Sequence, residues 1–416
     1  MSLNEQYSKL TISLTKALNK TEKKTFGIFI TPKSIIEILF QSIVQYCSAN
    51  QINIKDILEP SCGTCEIINY CDSLYNDAQI DGIEYNKTIF QLIEQLTFTN
   101  TNNIQLIQSD FMNYNSNYEK KYDLIVGNPP YFVCKKADIP SQYHEFCVGR
   151  PNIFGLFIIH SLSMLHSGGI LAFVVPKSFL NSMYYAPIRN HIKKTCRIIE
   201  IIDFTENNQF IDTDQATFGL IIQKLEEPII GEECQYSIKF GDNFIFASNS
   251  VQLKKLFEGS TTLEKMGLKV RTGNIVWNEH KEELTNDEKD SLLIYNSNIA
   301  NNKLEVKKFK NEEKGQYITK YGRINPALVV NRGNGNSAYK LNYVLIQNVG
   351  PYLIENHLNE IYESSIKKKS DNELIKLFNK VTDSFKNPRT QQFIEMFLGN
   401  NGLSKTELET IFPIYL

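Results

Sequence analysis

Asp123-Leu124-Ile125-Val126-Gly127-Asn128-Pro129-Pro130-Tyr131 decides how the chain is read. Its first half is an apolar run of strand type, led by a charge and stopped by glycine. Its second half is neither strand nor helix: Pro129 and Pro130 lack N–H donors and fix φ, so the backbone leaves the sheet in an extended turn. That turn holds Asn128 and Tyr131 at the carboxyl end of a strand, where open α/β sheets place their ligand crevices. The Asn128 side chain offers one acceptor and two donors. The Pro129 carbonyl, held by a rigid turn, is a second acceptor, and Tyr131 adds a flat aromatic face. Two acceptors beside an aromatic platform suit an exocyclic amino group on a planar ring. A proline turn after a buried strand, with Tyr131 packing locally, is the plainer alternative.

Upstream, the chain alternates strand and helix. Thr25-Phe26-Gly27-Ile28-Phe29-Ile30-Thr31-Pro32 leads into a helix whose apolar face carries Ile35, Ile36, Ile38, Leu39 and Ile43. Thr31 before Pro32 predicts a hydroxyl N-cap with proline at the first helical position. A first strand, Asp56-Ile57-Leu58-Glu59, meets a tight turn of small residues, Pro60-Ser61-Cys62-Gly63-Thr64-Cys65, and a helix begins near Glu66. Small side chains let backbone approach a ligand there, in front of a helix N-terminus. Cys62 and Cys65 have zinc-like spacing, but no second Cys or His pair with metal spacing follows. A second strand ends at Glu84, 25 positions after Glu59. An acid at that point is the ribose-hydroxyl ligand of nucleotide-binding sheets. A third strand ends at Asp110-Phe111, and Asp123 to Val126 is the fourth. Acids at successive strand ends can be solvated caps, but three of them at one edge with the proline turn make chance a poor account.

Downstream, Cys134 to Arg150 is a polar loop without periodicity, either a linker or a substrate loop. Asn152 caps a helix running to about His166, with Phe154 and Phe157 on one face, before Gly168-Gly169. Ile170 to Val175, Ile198 to Phe204 and Ala216 to Gln223 complete seven strands. An Asp/Asn-rich segment holding Phe210 joins the last two. A mostly parallel sheet with one late antiparallel insertion is the simplest assembly. After Pro228 the character changes to short mixed strands, charged helices and Gly/Asn turns, so a boundary is expected within 228–240.

The 416 residues, 42% hydrophobic and 22% charged, suit a soluble protein of two or three domains. No run is long enough to span a membrane, and Met1 to Lys24 is polar, without a signal-peptide core. Eight cysteines without framework spacing indicate reduced thiols in a reducing, cytoplasm-like compartment. Net charge is −2, so any nucleic-acid surface has to be a local patch.

In their order, these residues resemble the gamma-class N6-adenine-specific DNA methyltransferases of type II restriction-modification systems. The resemblance rests on Gly27-x-Phe29-x-Thr31-Pro32, Glu59-Pro60-x-x-Gly63, Glu84, Asp110 and Asn128-Pro129-Pro130-Tyr131. Asn152-Ile153-Phe154-Gly155, Phe173-Val174-Val175-Pro176, Asn401-Gly402-Leu403-Ser404 and Pro413 extend it. It is strong to about residue 225 and loose beyond. It implies a Rossmann-like seven-stranded methyltransferase sheet with a C-terminal mixed α+β domain. The expected division is an arm over 1–24, a catalytic domain over 25–230 and a DNA target-recognition domain over 231–416.

The resemblance further implies S-adenosyl-L-methionine as cofactor and no metal. Thr31, Ser61, Cys62 and Gly63 would hold the methionine end, with Glu59 near its amino group. Glu84 would take the ribose hydroxyls and Asp110 the adenine amino group. Phe111 and Phe157 would flank the adenine ring, and Asn128 and Pro130 also border the cofactor. Asn128 and the Pro129 carbonyl would grip the target amine, Tyr131 would stack on the flipped base, and Phe210 would be a second aromatic. Cys65 departs from the pattern, standing where the turn usually has its last glycine. Double-stranded DNA is the implied partner, bound by a monomer, with any cognate restriction endonuclease a separate chain. Arg323, Arg332 and Lys340 are candidates for DNA contacts. Competing readings are a glutamine-amide methyltransferase, an RNA amino-methyltransferase and a catalytically silent DNA-binding subunit. The roughly 190 residues after the sheet count against the first, and the intact Asn128 to Tyr131 turn counts against the last.

Overall fold

A computed structural model describes residues 6–17, 31–100, 103–114, 119–204, 216–229, 233–311, 313–333, 339–363, 369–398 and 402–416. Phe210, Gly27, Phe29 and Asn401 lie outside them. The chain divides into two compact units, Met1–Ser250 and Val251–Leu416.

The first unit is built on seven strands: β1 (Asp56–Glu59), β2 (Gln79–Glu84), β3 (Ile104–Gln108), β4 (Tyr122–Gly127), β5 (Leu165–Pro176), β6 (Cys196–Asp203) and β7 (Thr217–Lys224). Their order across the sheet is β3-β2-β1-β4-β5-β7-β6. β7 runs antiparallel to both neighbours, and the other adjacent pairs are parallel. This is the Rossmann-like sheet of the class I methyltransferases, with the late reversed strand that the sequence predicts. Its centre is apolar on both faces, as a sheet covered by helices requires. Leu124, Ile125 and Val126 of β4 are fully buried, their side chains alternating between two core clusters. The charge that leads β4 has a local use: Asp123 Oδ2 accepts from the Lys55 and Asp56 N–H groups at 2.9 and 3.1 Å, fixing where β1 starts.

Helices α1 (Lys9–Ala17), α2 (Lys33–Asn50), α3 (Glu66–Leu74), α4 (Lys87–Ile93), α5 (Ile153–Met164) and α6 (Ala186–Thr195) accompany the sheet. α5 is apolar all round and buried along nearly its whole length, as an interior helix should be. Its cap is the predicted one, with the Asn152 side chain accepting from Phe154 N–H. The other predicted cap differs. α2 opens after Pro32, which occupies the N-cap position itself, and no side chain caps it. Thr31 therefore lies one residue outside the helix, buried at 4% exposure.

Composition changes near residue 230, yet the first unit continues to Ser250. The hairpin of β8 (Ser237–Phe240) and β9 (Asn243–Phe246) packs Phe244 and Phe246 into the first unit's core. Arg189 of α6 is fully buried and ties the hairpin down: Nε donates to the Phe244 carbonyl at 2.6 Å, and Nη1 to the Phe179 and Ser182 carbonyls at 2.8 Å.

The second unit is α+β. Strands Leu268–Thr272, Leu358–Glu363, Ala327–Asn331 and Tyr343–Ile346 form one antiparallel sheet, and a second four-stranded sheet runs beside its own small core around Leu293 and Tyr295. Among the described residues no helix is long and apolar enough to cross a membrane.

Candidate active site

The carboxyl ends of β1, β2, β3 and β4 open on one cavity of about 640 Å³. The turn after β1 lines it. Gly63 adopts a left-handed backbone (φ 50°), and a Cβ built on it would meet nothing within 4 Å, so open space faces the chain there. Cys65 is also left-handed (φ 64°) and fully buried. The conformation that favours glycine is thus kept by a cysteine, whose thiol fills the interior. A hydrogen bond with Cys65, then burial and the nearby carboxylates, hold the Cys62 thiol well above its ordinary range. Both thiols are buried.

Glu59 borders the cavity and is 3% exposed, and its Oε2 is buried with no hydrogen-bond partner. Burial, reinforced by Cys65, pushes its carboxyl well above the usual range. A buried acceptor of this kind is costly unless a donor arrives, and a cationic amine would be such a donor. Glu84 is differently placed. Its Oε1 accepts from Asn86 N–H at 2.6 Å and its Oε2 from Gly63 N–H at 3.0 Å, so it orders the turn as well as facing the cavity. Burial raises its pKa while those two N–H groups oppose the rise. Each carboxylate oxygen keeps a second lone pair for a hydroxyl donor. Asp110 accepts from Met112 N–H at 3.0 Å and Asn113 Nδ2 at 2.7 Å, capping the short turn that holds Phe111.

Thr31, Ser61, Cys62, Asn128, Pro130 and Phe157 also border this cavity. Phe111 and Phe157 do not make a slot. Their centroids are 4.7 Å apart, which leaves no room for a ring between them, so they form one wall. Sequence reasoning did not single out part of the lining. Phe132, Val133 and Ile139, from the polar loop after the proline turn, border the cavity too. The loop is held by Tyr143, whose hydroxyl meets His160 Nδ1 at 2.6 Å in the core. Its chief signal in the sequence was adjacency to Tyr131.

The proline turn is joined to the β1 turn: Ser61 Oγ donates to the Asn128 backbone carbonyl at 3.1 Å. Gly127 permits this approach, since a Cβ there would lie 3.3 Å from Pro60 Cδ. Tyr131 is part-buried and its ring meets Phe154 edge-on at 5.9 Å. Its hydroxyl turns inward, to the Asn128 side chain and to the Val174 carbonyl at 2.9 Å. Neither Tyr131 nor Pro129 is among the cavity's lining residues.

A polar contact unseen in the sequence joins α1 to this edge. Thr11 Oγ1 lies 2.7 Å from Thr64 Oγ1 and also bonds Glu66, whose Oε1 accepts from Ser8 N–H at 3.0 Å. The described part of this segment, residues 6–17, is thus tied to the turn after β1.

In the second unit, Arg323 and Arg271 both pair with the buried Glu360, and Arg332 Nη1 donates to the Asn356 carbonyl at 2.9 Å. Two of the three proposed DNA-contacting cations are therefore engaged internally.

The sheet order with its reversed β7, and the acid-lined cavity at its carboxyl edge, define an S-adenosylmethionine-dependent methyltransferase of the Rossmann-like class. Residues 6–210 match the family described as Eco57I restriction-modification methylase. The chain is 26% identical over 415 residues to the type II methyltransferase M.CvrRI of Paramecium bursaria Chlorella virus XZ-6E, covering 97% of this chain and 98% of that one. It is 32% identical over 225 residues to the modification methylase CviBIII of Paramecium bursaria Chlorella virus NC1A, covering 53% and 55%. It is 30% identical over 202 residues to the type II methyltransferase M.AccI of Acinetobacter calcoaceticus, covering 46% and 36%. The chain thus spans nearly all of the first relative and about half or less of the other two.

Proposed function

We propose that the protein methylates the N6 amino group of adenine in double-stranded DNA, using S-adenosyl-L-methionine. One observation carries the reading. A buried carboxylate oxygen without a partner, on Glu59, and the Asn128 turn border one cavity, and Ser61 bonds the two turns together. The residues fit the cofactor: Glu59 for its ammonium, the open backbone at Gly63 for its close approach, Glu84 for ribose hydroxyls, Asp110 for an adenine amine, and the Phe111–Phe157 wall for its ring. When bound, the cofactor supplies an electrophilic methyl group on a sulfonium.

The protein's part is alignment. A target adenine has to leave the duplex stack to be reached. Its N6 lone pair is delocalised into the ring. Asn128 Oδ1 and the Pro129 carbonyl accept the two N6 hydrogens and draw the nitrogen toward tetrahedral geometry, freeing the lone pair. Asn128 and the Pro129 carbonyl would hold the nitrogen toward the methyl group that the cofactor would supply, and the N6 proton released on methylation would leave to solvent. Fixed acceptors at developing positive charge, plus proximity, account for the acceleration. Residues 251–416 are assigned to engaging the duplex and reading its sequence. A paired restriction endonuclease on a separate chain accords with the family match.

Tritiated methyl transfer to unmethylated duplex DNA, RNA and protein in parallel tests this, with label expected at N6-methyladenine. Label on glutamine or RNA would overturn it. Asn128→Ala should lower the rate about a hundredfold or more while cofactor affinity changes little.

A further inference from the structure

Tyr321 is 92% exposed and Ile324 67% exposed. Both stand on one loop of the second unit, residues 319–326, between the strands Tyr317–Ile318 and Ala327–Asn331. The backbone beneath them is fixed. Thr319 N–H donates to the Glu283 carbonyl at 3.0 Å, and Gly322 N–H donates to Ser291 Oγ at 2.8 Å. Arg323 and Tyr352 exchange backbone hydrogen bonds at 3.0 and 2.8 Å, and the Tyr352 hydroxyl donates to the Asn325 carbonyl at 2.6 Å. Gly322 allows this seating, because a Cβ there would lie 2.5 Å from the Tyr352 nitrogen and 2.8 Å from its carbonyl oxygen. A glycine and a set of hydrogen bonds thus hold two apolar side chains out in water, on a backbone that cannot fold them away.

We propose that Tyr321 and Ile324 form a fixed wedge that enters the base stack of duplex DNA. The wedge deepens the functional reading above and rests on it for its partner. Size decides between a duplex and another protein. Two such side chains present at most a few hundred Å², and their neighbours on the loop, Thr319, Lys320 and Asn325, are polar. A stable protein interface takes ~800 Å² from each partner. Parting a base step takes only one or two apolar side chains, and the bases so uncovered offer flat faces to an aromatic ring. Charge agrees with that choice. Lys320 and Arg323 belong to the loop, and Arg271 shares the Glu360 carboxylate with Arg323. The acids paired with them are Glu360 and Glu283, so three cations stand against two carboxylates. The side chain of Arg271 is 51% exposed, within reach of solvent-borne phosphate. Rigidity helps as well, because a backbone already held in place loses little entropy when its side chains engage. No step of methyl transfer is assigned to the wedge.

Fluorescence tests the insertion directly. Trp277 is the only tryptophan, so Tyr321→Trp adds one reporter, read against the wild type. Stacking on a nucleobase quenches indole emission. Titrated with a short unmethylated duplex that the wild type methylates, the variant should lose most of its added emission as it binds. Binding without quenching would place the ring outside the stack and overturn the proposal. Affinity gives the second measurement. Tyr321→Ala should weaken duplex binding about ten- to a hundredfold, the range for removing one base–aromatic stack, while cofactor affinity stays near wild type. The slope of log affinity against log salt should not change, since an apolar wedge releases no counterions. An unchanged affinity, or a shallower slope, would each overturn the wedge, the latter by placing the loss in phosphate contacts. A wild-type dimer that Tyr321→Asp converts to monomer in sedimentation would assign the pair to self-association and overturn it too. The two readings fail separately. A wild type that methylates the duplex while Tyr321→Trp binds it unquenched refutes the wedge alone. A wild type that neither binds nor methylates duplex DNA refutes the functional reading, and the wedge with it.

Discussion

Glu59 holds a buried carboxylate oxygen with no hydrogen-bond partner among the described residues, so ionising it in the ligand-free protein costs stability. The sign follows from burial. The folded pKa is raised above the unfolded value, so the contribution is fully present below about pH 4.3 and is lost as pH rises through the folded pKa. Thermal melts of wild type against Glu59→Gln should therefore diverge as pH increases, with the variant gaining, and S-adenosylmethionine should restore the wild type alone. Superimposed melts at all pH values would refute the assignment. The same substitution should weaken cofactor binding by about ten- to a hundredfold in calorimetry, the size of a lost charge-assisted hydrogen bond. Glu59, Glu84 and Asp110 were legible because strand-end acids recur at intervals set by strand–helix units. The Phe111–Phe157 contact and the inward turn of Tyr131 were not, since they depend on groups supplied by α5 and β5. Thr31 was misplaced by one residue because a proline can itself stand at the N-cap.

Elements are where polarity misled. Met1 to Lys24 is polar and reads from its sequence as a short polar helix or arm. The structure forms the helix and docks α1 by its apolar side, with Leu14 in the core, and by polar groups: Thr11 meets Thr64 and Glu66, and just before the helix Gln6 Oε1 accepts from Ser34 N–H at 3.1 Å. Hydrogen bonds between distant short polar side chains leave no pattern in a sequence. Thr11→Val should sever the contact to Thr64 at nearly constant volume. The expected cost is about 1 kcal/mol of stability, read by urea denaturation, with cofactor affinity falling several-fold. A variant indistinguishable from wild type in both would show the helix to be a bystander. The strands of the first sheet, by contrast, were read to within about two residues of their ends, except β5, which begins five residues before the expected Ile170, at Leu165. Cys65 was read as a departure from glycine. Its left-handed φ of 64° is a backbone that glycine adopts readily, here held by a buried cysteine.

At the scale of the molecule, each unit closes cores of its own, the first around β4 and α5 and the second around the strands Ser291–Ile294 and Ala327–Asn331. A fragment ending at Ser250 should fold and bind S-adenosylmethionine within a few-fold of the full chain, by calorimetry, while failing to methylate DNA. A fragment that melts without cooperativity would argue against that independence. Composition places the seam some twenty residues too early, because it registers surface character, whereas the division follows contacts such as those of Phe244 and Phe246. Arg189 makes the difference tangible. A guanidinium cannot shed its charge, and this one is sealed away from water with the Phe244 carbonyl among its acceptors. Ending the polypeptide at residue 230 would strip away that acceptor and the rings above it, stranding a permanent cation beside an open wound in the hydrophobic interior. Anyone trimming this protein for crystals or fusion should cut by where its buried arginine is anchored, since the catalytic half carries its own keystone in the stretch that looks most expendable.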